Sequence, residues 1–428
     1  MTQSARVIGI QYPPVNFAAP RIEPAECTVQ AGSHGLTDFG QLNFGMAREE
    51  FLSNYFERQW LLSRGAHRDS KFSWSDVDEL LYRIEPVAPY MQLFQDGEVP
   101  YERYVDDSVE HGRTRRRMNK AIFYDSLSRG ATLVLNRLEE HSLAAKRLCT
   151  EVGRFAGHPT LGNAYLSFGG NGTFGKHWDT HDVFVVQLLG KKRWQVFAPT
   201  LPLPLSHQTC APFRGQCSRQ PVLDVQLNAG DVLYLPRGWW HQAIPCNSGS
   251  FHLSVGAYPP TAIDYLQWVN QQSLAALPAA RVGISGAEDQ ALDAESILKS
   301  VTEAMRHSSS LPAYRQSLLE REQGRSEFTL ALLLESSESI LAGDAYVALN
   351  NCYAQTDTHS SLLNAITKSN RHAPQFDDLH KALIGYLATV TTTRVQTVCE
   401  RIASASASRI GVALLDLARC DVVNLWRA

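Results

Sequence analysis

The spacing of apolar positions changes character three times along the chain. Residues 1–40 show no sustained period, only short polar runs broken by Pro and Gly, and read as an irregular arm. In "MAREEFLSNYFERQWLLSRG", Phe51, Tyr55, Phe56, Leu61 and Leu62 fall at helical spacings, which predicts a helix from Met46 that ends at Gly65. "SWSDVDELLYRI" predicts a second helix, capped at Ser75 and buried through Val77, Leu80 and Leu81. "ATLVLNRLEEHSLAAKRLCTEVGRFAG" reads as a short strand and then an amphipathic helix closed by Gly157. Beyond it the style is that of strands. "NAYLSF", "DVFVVQLL", "KRWQVFAP", "DVLYLP" and "FHLSVGAY" are short, rich in Val, Leu and aromatics, and separated by Gly, Pro and polar clusters, the pattern of an antiparallel sandwich or barrel. "VFVVQLLG" and "KKRWQVF" meet at Gly190 and Lys191, where a tight hairpin is expected. From Thr261 helical spacing returns in "AIDYLQWVNQQSLAAL", "ALDAESILKSVTEAMRHS" and "AYRQSLLEREQG". From Ser326, strand-like "FTLALLLE" mixes with helices, and "SRIGVALLDLARCDVVNLW" predicts a helix followed by a last strand, an ending compatible with a winged-helix module. Four parts result: an arm (1–40), a mixed domain (41–260), a helical segment (261–325) and a C-terminal module (326–428).

Length supports that division, because 428 residues exceed what a single compact core accommodates. A formal net charge of −3 gives no electrostatic case for direct nucleic-acid binding, which rests on Lys and Arg neutralising phosphates. The strongest basic run, "HGRTRRRMNKA" at 111–121, reads as an exposed helix or loop start, with a substrate- or partner-binding patch as the alternative. No run of about 18 apolar residues predicts a membrane span, and the N-terminus lacks the basic start and long apolar core of a signal peptide. Eight cysteines are scattered with no CxxC pair, which suits reduced thiols and a cytoplasmic setting. Only Cys210 and Cys217 are close enough in sequence to suggest a zinc or redox pair.

The densest chemistry is "HWDTHDV", residues 177–183. A strand alternates its side chains between faces, so His177 and Asp179 project together with Trp178 opposite. One imidazole and one carboxylate are two of the three ligands of a 2-His-1-carboxylate facial triad, which leaves positions open on a non-haem Fe(II). A third ligand must come from a distant strand. In "LNAGDVLYLPRGWWHQA", a turn, a strand and a second turn deliver His241 to a strand start about sixty residues later. An HxD pair alone is weak and is more often a surface or structural pair. The combination of HxD, strands and GD-strand-P-x-G-x-x-H at this separation is far more specific.

The block from Asn163 to Tyr258, with "GKHWDTHDVFVVQLLGKKRWQVF", "LNAGDVLYLPRGWWHQA" and "HLSVGAYPP", resembles the JmjC branch of the cupin superfamily, most of all the ribosomal oxygenases. "FLSNYFERQWLLSRG" resembles that family's N-terminal segment, so the likeness covers residues 40–270 well and the rest in outline. It implies an α+β fold: a double-stranded β-helix (jelly-roll, cupin, JmjC) core with N-terminal helices, then an α-helical dimerisation segment and a C-terminal winged-helix-like module. It implies an Fe(II)- and 2-oxoglutarate-dependent dioxygenase that uses molecular oxygen to hydroxylate a side chain of a protein or peptide. A ribosomal protein is one such substrate, and a homodimer is the implied assembly. His177, Asp179 and His241 match the iron ligands, and Lys192, fifteen residues beyond His177, matches the residue that pairs with the distal carboxylate of 2-oxoglutarate. Tyr165 matches a position that helps hold that carboxylate, Thr173 and Ser254 are placed to add hydrogen bonds, and Asn163 shares the face of Tyr165.

Other residues are read from their neighbours. Lys191 and Arg193 are expected exposed on the opposite face from Lys192. His181 is expected in the substrate pocket or in the structural background, and His252 as a hydrogen-bonded interior histidine. Trp178, Trp239 and Trp240 are expected to pack as wall and core, and substrate selectivity to sit in the loop from Pro199 to Leu223. Competing classes are a tailoring hydroxylase of a small-molecule or peptide intermediate, a cupin isomerase or cofactor-free dioxygenase, and a non-catalytic metal-binding cupin. The cupin isomerase class has no use for Lys192.

Overall fold

The computed structural model describes residues 42–67, 72–170, 172–283, 294–307, 310–321, 345–350, 373–390 and 392–427, with the pieces 26–28, 326–328, 362–364 and 366–367 and residues 330 and 341. The large sheet contains β1 (Glu26–Thr28), β2 (Leu61–Arg64), β3 (Met91–Phe94) and β4 (Glu98–Val99). A separate hairpin is made of β5 (Val105–Glu110) and β6 (Arg113–Met118). The large sheet resumes with β7 (Thr132–Leu135), β8 (Thr160–Ser167), β9 (Asp182–Phe197), β10 (Leu223–Asn228), β11 (Val232–Leu235) and β12 (Trp240–Ala257). Its spatial order is β1-β2-β11-β9-β12-β8-β7-β3-β4, with β10 on β9. The first half of β9 pairs with β11 and the second half with β10, while β12 follows β9 along nearly its whole length. The result is the cupin-like β core with helices that the resemblance implies.

Four helices cover one face: α1 (Arg48–Asn54), α2 (Trp74–Arg83), α3 (Lys120–Ser128) and α4 (Leu143–Ala156). They bury Phe51, Val77, Phe123, Leu148 and Val152 against Leu133, Ala164, Leu166, Phe184 and Leu253 of the sheet. The α4 helix follows its sequence signals closely. Ser142 Oγ accepts from Ala145 N at its start, Gly157 adopts φ 79° at its end, and the stripe between is buried. On β8 the pleat sends Ala164 and Leu166 into this core, and therefore turns Asn163 and Tyr165 the other way.

Several expectations are corrected. The helix from Met46 stops at Asn54, and Leu61–Arg64 form β2 between β1 and β11. The following helix is capped at Ser73 rather than Ser75, with Asp76 Oδ2 accepting from Ser73 N at 2.7 Å. The basic run is exposed as expected, but only its last residues start a helix, α3; most of it lies on β6 and the turn before it, where its arginines meet Asp107, Glu110 and Glu85. Part of the arm, Glu26–Thr28, is a strand parallel to β2; the remainder, like most of "FTLALLLE", lies outside the described residues. The hairpin at Gly190–Lys191 is absent, because β9 is one strand of 16 residues. Gln187 and Leu189 pair with the adjacent His252 and Phe251, so Leu188 is the extra residue of a bulge. Gly190 adopts φ 66° there, and a Cβ would lie 1.9 Å from the carbonyl oxygen of Gly249. The glycine serves a backbone approach inside a strand, not a chain reversal.

After the sheet, α5 (Ala262–Leu274), α6 (Ala294–Arg306) and α7 (Ser310–Arg321) make the helical segment. The C-terminal module sets β13 (Ala345–Leu349) between β14 (Thr393–Arg394) and β15 (Val423–Arg427). These strands pack with α8 (Asp378–Thr389), α9 (Val395–Arg401) and α10 (Ala407–Arg419) over a core of their own. The expected helix and final strand are α10 and β15.

This module is tied to α4 by charge-assisted bonds. Arg147 grips Glu327 through two bonds of 2.7 and 2.6 Å, and the buried Arg154 donates to the carbonyls of Leu387 and Val390 at the end of α8. Arg154→Ala would leave those carbonyls buried without this donor, at a cost of roughly 2–4 kcal/mol. We expect a matching loss in denaturant unfolding of the full chain, whereas Arg409→Ala, on an exposed pair, should change it by less than about 1 kcal/mol.

Candidate active site

His177 and His241 face each other across an isolated antiparallel bridge. His177 N donates to His241 O at 3.1 Å and His241 N to His177 O at 2.8 Å. Directly opposed residues of such a pair project to the same side, and the two imidazole centroids lie 4.3 Å apart. Asp179 follows at i+2 on the same face, its carbonyl held by Gly238 N at 3.0 Å, so the turn before His241 also fixes the carboxylate segment. One donor atom from each of His177, Asp179 and His241 falls within 4.8 Å of the others, and His241 Nε2 is 3.5 Å from Asp179 Oδ2.

The donor set fits a divalent metal ion. His177 Nδ1 lies 3.0 Å from Gly175 O and His241 Nδ1 lies 3.0 Å from Trp239 O. A carbonyl can only accept, so each Nδ1 carries the proton and each Nε2 keeps a free lone pair, the arrangement that orients metal-binding histidines. Burial, with repulsion from His177, pushes His241 down to about 4, so this ring is neutral at neutral pH. Burial alone would raise Asp179, but the imidazoles of His241, His177 and His181 hold it below its ordinary value. Trp178 packs behind the pair against Trp240 and Phe213.

A cavity of about 230 Å³ opens from this cluster into the sheet, lined by all eight residues picked from the sequence: His177, Asp179, His241, Lys192, Tyr165, Asn163, Thr173 and Ser254. Lys192 is only 3% exposed. Its Nζ donates to Ser167 Oγ at 3.2 Å and has no carboxylate partner among the described residues. Burial lowers it to about 8. Lys191 and Arg193 point outward, and Arg193 pairs with Asp224. Thr173 Oγ1 shares a 2.7 Å bond with Thr132 Oγ1, and Asn163 Oδ1 accepts from Arg137 N at 3.1 Å.

Several lining residues escape the sequence reading or are misplaced by it. Phe174 and Tyr258, each about two-fifths exposed, form the outer wall; His181 lines the cavity, as the pocket reading of it expects, and stacks on Tyr258 with centroids 4.8 Å apart. His252 also lines the cavity and has no hydrogen-bond partner among the described residues, contrary to the interior bond expected for it. Its alternation with Ser250 and Ser254 is the signal that places it there. No residue of the loop 199–223 lines the cavity. That loop packs Phe213, Cys210 and Cys217 behind Trp178, and both thiols are free.

Residues 137–265 match the model of the JmjC domain, so the fold and the residue pattern at this site belong to a JmjC domain. Among curated proteins, the chain is 31% identical over 179 residues to a bifunctional lysine-specific demethylase and histidyl-hydroxylase NO66 of Drosophila persimilis, covering 39% of this chain and 25% of that one. It is 33% identical over 244 residues to ribosomal oxygenase 1 of Danio rerio, covering 52% and 43%. The chain thus spans between a quarter and under half of the length of these relatives. A solved structure of YcfD, a ribosomal oxygenase from Escherichia coli in complex with cobalt and 2-oxoglutarate, shares the fold with a TM-score of 0.51 at 14% identity, over 90% of this chain and 99% of that one. The chain thus carries a match to the JmjC domain over residues 137–265 and is similar there to proteins of the ribosomal oxygenase type. No helix among the described residues is long and apolar enough to cross a membrane.

Proposed function

We propose that this protein is an Fe(II)- and 2-oxoglutarate-dependent oxygenase that hydroxylates a side chain of a protein or peptide and releases succinate. The observation that carries the reading is one cavity with a His-Asp-His donor set at one end and a buried ammonium without a carboxylate partner at the other. A dicarboxylate with a keto acid at one end satisfies both. The relatives named for histidyl hydroxylation and ribosomal oxygenation, and the fold neighbour with cobalt and 2-oxoglutarate, support the same assignment.

In this reading His177, Asp179 and His241 hold the iron, and Lys192 anchors the distal carboxylate through a charge-assisted bond. Tyr165, Thr173, Ser254 and Asn163 orient the cosubstrate along the cavity. Bound iron, with oxygen and 2-oxoglutarate, supplies oxidation of an unactivated C–H bond. Trp178 and Trp240 keep water from the back of the donor set, while Phe174, Tyr258 and His181 receive the substrate side chain. A histidyl side chain of a ribosomal protein is the substrate that the relatives' names favour.

The domain at 41–260 carries this chemistry, the segment at 261–325 dimerises and the module at 326–428 is winged-helix-like, in a cytoplasmic protein that acts on protein rather than nucleic acid. Supporting the dimer, α6 is amphipathic yet buries none of its residues within the chain. Leu298 is 67% exposed and Met305 42%. Leu298→Glu is expected to shift sedimentation from dimer to monomer, with at least a tenfold weaker dimer constant, since a charge opposed across a two-fold interface costs more than about 1.4 kcal/mol.

The direct test is anaerobic titration of the iron-loaded protein with 2-oxoglutarate, followed by succinate release in air. Histidine-containing ribosomal peptides would then be screened for a mass gain of one oxygen. Binding and uncoupled succinate are expected from the wild type. A wild type that takes up Fe(II) but does not bind 2-oxoglutarate sinks the reading.

A further inference from the structure

We propose that His252 is a second anchor for the distal carboxylate of the cosubstrate, donating an imidazole N–H beside the Lys192 ammonium; this rests on the oxygenase reading above. The inference comes from how β8 and β12 are registered. Their pairs run Asn163↔Ser254, Tyr165↔His252 and Ser167↔Ser250, and every second residue of a strand shares a face. Asn163, Tyr165, His252 and Ser254 all line the cavity, so the rungs form a polar column along one wall. The innermost rung carries the ammonium, because Lys192 Nζ donates to Ser167 Oγ, and Gln187 Nε2 fills Ser250 Oγ at 3.0 Å. His252 stands one rung from that ammonium.

Its surroundings leave it unsatisfied. The ring is 2% exposed, stacks on Tyr165 at 5.0 Å and 6°, and meets Trp194 edge-on at 5.5 Å. Neither ring nitrogen has a hydrogen-bond partner among the described residues, and Nδ1 is fully enclosed. A buried polar group with no partner costs stability unless a ligand completes it. Stacking alone would be served as well by a phenyl ring, which buries no polar nitrogen. Burial and the neighbouring Lys192 keep the ring uncharged, so it can donate one N–H while the site retains a single cation. One cation and one neutral donor suit a carboxylate whose partner carboxylate sits at the metal.

The test uses the full-length protein loaded with Mn(II) under anaerobic conditions, with two probes: 2-oxoglutarate, and 2-oxopentanoate, which has the same chain length and keto acid but no distal carboxylate. His252→Phe keeps the stacking and removes the donor. We expect its dissociation constant for 2-oxoglutarate to rise by about tenfold or more, as for loss of a bond to a charged group, with 2-oxopentanoate binding unchanged. His252→Asn or His252→Gln should recover part of the loss. Equal 2-oxoglutarate binding by wild type and His252→Phe overturns the inference while leaving the oxygenase reading intact. Equal weakening for both probes also overturns it, because His252 then acts through packing. A wild type that binds Mn(II) but neither probe removes the oxygenase reading, and this anchor with it. Retained Mn(II) affinity and melting temperature in the variants show that each comparison is made on folded protein.

Discussion

Asp179→Asn should weaken Fe(II) or Mn(II) binding by at least about a hundredfold and reduce 2-oxoglutarate-dependent succinate formation to background. The floor on that figure comes from partners of metal ligands, whose loss alone costs roughly 10–100-fold. Removing the only anionic donor of the set costs more, because a neutral amide no longer offsets the ion's charge. The fold should survive. Asp179 is tied to its neighbours through its backbone, its carbonyl accepting from Gly238 N, and the amide fills the same volume. A thermal melt separates the two effects. A ligand at a hundred times its dissociation constant adds about 2.7 kcal/mol to folding, so Mn(II) should raise the melting temperature of the wild type and leave that of Asp179→Asn nearly unmoved. His177→Ala should behave alike, and chelation of the wild type should reproduce both. A variant that keeps wild-type metal affinity would remove Asp179 from the donor set.

The arrangement of this site was legible where a local rule has one geometric outcome. An HxD in an extended segment sets both side chains on one face, and a turn before His241 sets it opposite; here the segment is extended but held to His241 by a single bridge, with β9 starting only at Asp182. The cavity position of Lys192 came from family likeness, since three consecutive basic residues do not say which one turns inward. The misreadings occur where one signal serves two structures. Positive φ at Gly190 marks a hairpin or a bulge, and only the 1.9 Å approach to Gly249, set by β12 far away in sequence, decides for the bulge. Leu61 and Leu62 fit a helical stripe after Phe51 and Tyr55, yet adjacent apolar residues also fit a strand buried on both faces, which is what β2 between β1 and β11 becomes. His252 reads as interior because it lies on an apolar strand. That it faces the cavity follows from its place two residues before Ser254, because both register shifts precede His252 and leave the alternation from His252 to Ser254 intact.

The second large effect is expected at Lys192. Lys192→Met, close in volume and without charge, should weaken 2-oxoglutarate binding by about a hundredfold or more while sparing metal binding, since breaking a buried charge pair by removing one partner costs roughly 3–5 kcal/mol. The same substitution should stabilise the empty protein. Burial lowers the ammonium from its ordinary 10.5 to about 8, a penalty of roughly 3 kcal/mol at neutral pH. The sign follows from proton counts. Between about pH 8 and 10.5 the unfolded chain holds a proton on this lysine that the folded chain has lost, so the wild type gains stability as pH rises through that window. Lys192→Met lacks this gain and should melt higher than the wild type at neutral pH, with the two curves converging toward pH 10. Cosubstrate affinity should run the opposite way. Below about pH 8 the empty site already carries its cation, and above it each binding event must also take up a proton, so wild-type affinity for 2-oxoglutarate should fall with pH while that of Lys192→Met stays flat. Calorimetry in buffers of different ionisation enthalpy measures that proton uptake directly. Wild-type binding that stays pH-independent from pH 7 to 10 would show that the distal carboxylate is held elsewhere.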